Sequence, residues 1–90
     1  MLNLGRIIGG IRASRAYVRA LGRARAELEA RLAEGPLGDE HLVIHELVQK
    51  HVEPALAPYP HLAGDIRPII RAREHLQKAF AAQAGGQGRP

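Results

Sequence analysis

The sequence predicts an all-α fold: a small three-helix protein with a long N-terminal amphipathic helix, packed as a helical homo-oligomer. Two observations carry this expectation. Leu4, Ile7, Ile11, Ser14, Val18, Leu21, Arg25, Leu28 and Leu32 recur in alternating steps of three and four, which places them along one face of a helix built to lie against another helix. Downstream, glycine, proline and aspartate punctuate the chain at intervals that suit helix ends, and no stretch alternates with the period of a strand.

The first helix is expected over about residues 3–34, with Asn3 as a candidate N-cap and Gly35-Pro36-Leu37-Gly38 as the stop. Gly5, Gly9, Gly10 and Gly22 each weaken it as an isolated helix by roughly 1 kcal/mol relative to alanine. A second row, Gly5, Gly9 and Ala13 followed by Ala16, Ala20 and Ala24, repeats small residues every fourth position. Such a row reads either as close helix packing or as the by-product of an alanine-rich composition.

Asp39 can cap a second helix over about 40–53, which Pro54 should end. The proline-rich run from Ala55 to Gly64 is expected as a partly apolar connector. Asp65 can cap a third helix over about 65–82, where Pro68 falls in the first turn and Ile66, Ile69, Ala72, Leu76 and Phe80 form the apolar face. The expected organisation is one helical domain over 1–84 and a flexible tail over 85–90.

With 90 residues, one Phe, two Tyr and no Trp, the chain has little with which to fill a core. Association with further copies would supply the missing buried area, and closed homo-oligomers are the common solution. The absence of cysteine excludes a disulfide framework, a thiolate zinc site and a cysteine nucleophile. Neither a secretory leader nor a membrane-length apolar run is apparent, so a soluble cytoplasmic protein is the expectation.

The charge is uneven. Residues 1–34 hold seven arginines against three glutamates, whereas the remainder holds six basic against six acidic residues, so the whole formal charge of +4 resides in the first helix. Arg12, Arg15, Arg19 and Arg23 form a stripe opposite much of the apolar seam, able to track phosphates or to rest on a solvated face. An anionic membrane surface, met through Leu4, Ile7, Ile8 and Ile11, is a lesser candidate partner. Arg25 in the first seam and Arg73 in the third helix must each find water, an anion or a carboxylate, Glu46 and Glu53 being available.

His41 and His45 are four apart, but a firm zinc site needs more ligands, so neither a metal nor another cofactor is expected. Helical phase places His51 among Ile44, Leu47, Val48 and Val52, as a hydrogen-bonded core or interface residue. His75 is expected to be exposed beside Arg71 and Lys78, with Arg67 completing a small basic face. Glu74 and His75 alone do not assemble a general acid and base, and no phosphate-binding loop, dinucleotide fingerprint or nucleophile elbow is present.

The run Ile70-Arg71-Ala72-Arg73-Glu74-His75-Leu76-Gln77-Lys78-Ala79-Phe80 resembles the last helix of small all-helical phage proteins that sequester cyclic oligonucleotide messengers for immune evasion. The resemblance implies a homo-oligomer that binds phosphates through Arg71, Arg73 and His75. It covers those eleven residues, and the arginine-rich first helix has no counterpart in that family.

The expected function is therefore that of a non-enzymatic, self-associating structural or adaptor protein. Its interface residues would be Leu4, Ile7, Ile11, Val18, Leu21, Leu28 and Leu32. The alternative is a phosphate-binding module for nucleic acid or a cyclic oligonucleotide messenger, with Arg12, Arg19, Arg25, Arg71, Arg73, His75 and Lys78 as anion-binding candidates. An enzyme with a composite site between subunits, and a helix-turn-helix protein, fit the sequence less well.

Overall fold

The computed structural model describes the backbone of residues 4–87 and the side chains of residues 12–62 and 64–83. It is all-helical over these residues: α1 (Leu4–Glu34), α2 (Glu40–Leu47), a π-helical turn (Val48–Val52), α3 (Glu53–Leu56), α4 (Pro60–Ala63) and α5 (Arg67–Gln87). Asn3, the expected cap of α1, lies outside the described residues. α1 ends where Gly35 (φ +146°) and Gly38 (φ +77°) take up backbone conformations that side-chain-bearing residues avoid.

As expected, Asp39 caps α2, its carboxylate accepting the N–H groups of His41 at 2.9 Å and Leu42 at 3.3 Å. Pro54 does not end the helix. α2, the π turn and α3 form one continuous helical run over 40–56, with the Glu53 N–H donating to the Val48 carbonyl five residues back. A π turn widens the coil just ahead of Pro54, where its ring would otherwise press on the carbonyl of a regular helix. The expected connector is correspondingly shorter and itself contains the single turn α4.

The Asp65 carboxylate accepts the Arg67 N–H at 2.9 Å and so starts α5 as anticipated. α5 continues to Gln87, past the expected end near residue 82. Residues 85–87 of the expected tail are thus helical, and 88–90 lie outside the described residues.

The three long segments run up, down and up. Arg31 meets Glu46 while Glu27 meets Lys50 and His51, which sets the second segment antiparallel to α1. α5 returns alongside both, with the Tyr17 hydroxyl donating to the Pro68 carbonyl at 2.8 Å and Arg73 reaching His45 further along.

The core lies along their common axis. Leu28, Leu47, Leu76, Val48 and Val52 are its largest fully buried side chains, and no buried residue among those described is polar or charged. Burial of this apolar surface is the main term holding the segments together.

α1 packs through a different arc from the heptad seam. Its buried residues are Ala13, Ala20, Ala24, Leu28 and Leu32, while Val18 remains 62% exposed and Ser14 and Arg25 face water. The packed arc is rotated from the seam by roughly a quarter-turn. Alanines at the contact let the neighbouring backbones come close, so the small-residue row is a packing surface over its described part.

Candidate functional site: the outer surface of the first helix

Seen along its axis, α1 has three sectors. The inner one is the core arc. Opposite it lies the stripe of Arg12, Arg15, Arg19 and Arg23, all exposed, none with a carboxylate in ion-pair distance among the described residues. Between them runs the seam sector, with Val18 exposed and Leu21 half-buried at its inner edge. Leu28 and Leu32, assigned from the sequence to an intermolecular seam, are buried in the chain's own core and are withdrawn from that role. The side chains of Leu4, Ile7 and Ile11 lie outside the described residues.

The two seam arginines find partners other than those anticipated. Arg25 pairs with Glu29 one turn on, at 2.9 Å and in water. Arg73 is exposed and its guanidinium lies 2.9 Å from His45 Nδ1. Glu46 is instead engaged by Arg31 at 2.8 Å.

Glu27 is the electrostatic hub of the α1–α2 boundary. Its carboxylate accepts from Arg31, from Lys50 Nζ at 2.8 Å and lies 2.9 Å from His51 Nε2. Hydrogen bonds from Lys50 first and His51 second hold its pKa down at about 2, against the opposing effect of burial and with help from the Arg31 charge. His51 is half-buried and hydrogen-bonded at the edge of the core, while Ile44, Leu47, Val48 and Val52 fill the interior without it.

On α5 the anion-binding candidates separate. Arg71, His75 and Lys78 follow one another by four and three residues along one edge, with His75 half-buried rather than exposed. Arg73 stands on another side, toward α2. The α1 stripe and the α5 edge are not brought together, although Arg71 itself approaches Tyr17. Burial raises the Tyr17 pKa, and the Arg71 charge opposes that rise.

No group of three or more metal-ligating side chains occurs among the described residues, so His41 and His45 have no third ligand there. None of the helices described is long and apolar enough to cross a membrane. Compared with protein-family models, with curated proteins and with solved structures, the chain matches none.

Proposed function

We propose that this chain is a non-enzymatic helical protein that associates with a second copy of itself through the seam sector of α1. The supporting observation is the exposure of Val18: the core is closed through the alanine arc, leaving this β-branched seam residue 62% exposed. Leu4, Ile7 and Ile11 continue its heptad register in the sequence.

Charge favours an antiparallel arrangement. Through residue 25, α1 carries arginines and no carboxylate, whereas Glu27, Glu29 and Glu34 follow within its last turns. Antiparallel pairing keeps the two arginine-rich halves apart, Glu27 and Glu29 being already paired within their own chain. Parallel pairing sets the two arginine stripes near each other.

A second reading rests on the same four unpaired arginines, which suit a polyanion such as nucleic acid or another phosphate-bearing ligand. Salt separates the two. Screening of the residual repulsion leaves an apolar seam intact or strengthened, while phosphate contacts weaken steeply as salt rises.

Absolute mass from light scattering during size-exclusion chromatography, at low and high salt, tests the proposal. The parent chain should elute as a salt-stable dimer and Val18→Glu as a folded monomer. A parent chain that is monomeric at both salts, or a variant of unchanged mass, refutes self-association through this sector. A particle that sheds ultraviolet-absorbing nucleic acid with rising salt supports the polyanion reading.

A further inference from the structure

A cavity of about 400 Å³ lies where α1 meets α4 and the start of α5, bordering the seam at Ser14. This volume is within the range that accommodates small organic ligands. Its floor is apolar, made by Ala13, Leu56, Leu62 and Pro68, of which Ala13 and Leu56 are fully or almost fully buried.

The polar groups around it are unequally committed. Asp65 is neutralised within the wall: Arg67 Nε lies 3.0 Å from both carboxylate oxygens and Arg67 Nη2 2.6 Å from Oδ2. The Tyr17 hydroxyl hydrogen is given to the Pro68 carbonyl at 2.8 Å, which fixes that ring as wall. Arg71 also lines the cavity, and no carboxylate lies in ion-pair distance of it among the described residues. His61 and Ser14 stand exposed at the rim and add a ring nitrogen and a hydroxyl.

The geometry points to a binding site for a small organic oxyanion, with an apolar body on the Ala13–Leu56–Leu62 floor and a phosphate or carboxylate held by Arg71. Two arginines against one carboxylate give the wall one net positive charge, and Arg71, whose charge also acts on Asp65, is the one with no ion pair among the described residues. Its planar guanidinium suits either group through two parallel hydrogen bonds. His61 and Ser14 add further polar groups to the lining, and Pro68 contributes to the floor.

Amide resonances followed by heteronuclear NMR during titration with phenyl phosphate, phenylacetate, inorganic phosphate and benzyl alcohol test this inference. The first two should shift saturably the amides of Tyr17, Leu62 and Arg71, and their relative strength distinguishes a phosphate from a carboxylate ligand. Inorganic phosphate and benzyl alcohol, each carrying one half of the recognition, should bind much more weakly. Arg71→Gln should weaken the better probe about tenfold, the loss expected for one charge-assisted contact. Arg23→Gln, an equal loss of charge on the outer face of α1, should leave its affinity unchanged.

The inference is overturned if neither aromatic anion shifts these resonances, if Arg71→Gln binds as the parent does, or if Arg23→Gln weakens binding equally. Both variants alter exposed side chains, and an unchanged melting temperature verifies that each is folded. Because Ser14 borders the seam, the titration is repeated on Val18→Glu, where binding equal to that of the parent separates this outcome from the mass measurement.

Discussion

Replacing Glu27 by Gln keeps the shape of the side chain and removes the charge that Arg31, Lys50 and His51 share. The carboxyl pKa is held at about 2 against an ordinary value of 4.5. At about 1.4 kcal/mol per pKa unit, this displacement sets an upper bound of about 3.5 kcal/mol on its contribution to stability. The side chain is 23% exposed, and solvent screening together with the amide's remaining hydrogen bonds brings the expected loss to about 1–2 kcal/mol. For a domain of this size, that loss lowers the melting temperature by roughly 5–15 °C.

The pH dependence has a definite sign. The folded-state pKa is depressed, so the stabilisation is fully present above the unfolded value of 4.5 and is lost as the pH falls toward about 2. Urea denaturation followed by circular dichroism, for parent and Glu27→Gln across that interval, should show a gap at neutral pH that closes on acidification. Carboxylates common to both proteins cancel in the difference. Equal stability at neutral pH, or a gap that persists at the acid end, would refute the role assigned to this cluster.

Two further outcomes follow from packing and capping. Ala24→Leu should destabilise the fold by about 1–3 kcal/mol by forcing a larger side chain between closely approaching helices, whereas Ala26→Leu on the exposed side should be nearly neutral; thermal melts of the pair check the assignment of the alanine arc. Asp39→Ala should lower the urea midpoint by the equivalent of about 1 kcal/mol through loss of the α2 cap, with Asp39→Asn retaining most of it.

Much of the fold was legible because its boundaries depend on local chemistry. Gly35 and Pro36 stop a helix wherever they stand together, and Asp39 and Asp65 satisfy backbone N–H groups within three residues of themselves. Leu28 and Leu32 were correctly read as apolar contact positions but assigned to another chain, because a heptad stripe does not say whether its partner is covalently attached.

The alanine arc was harder to read. Ala13, Ala20 and Ala24 contribute little hydrophobicity and act by permitting approach, a property that depends on what faces them. The cavity was invisible because Tyr17, His61 and Arg71 come from three separate segments, and no spacing rule connects them. For Arg25 and Arg73, sequence identified the need for a polar environment without deciding between water, a neighbouring turn and another helix.

The π turn makes the second segment one residue longer than its apolar face requires. In a regular helix Ile44, Val48, Val52 and Leu56, spaced by four, would drift around the axis by about 40° per step. The wide turn takes up that drift, so Val52 and Leu56 stay with Ile44 and Leu47 against the core. It also lets the consecutive residues Lys50 and His51 converge on one oxygen of Glu27. The surplus residue thus joins two properties that are separable in principle: its deletion would restore a uniform coil with much of the oily face in phase, yet disrupt the electrostatic latch and drive Pro54 into an uninterrupted helix. In this segment, tolerance of length change is governed by a proline and a carboxylate rather than by hydrophobic pattern.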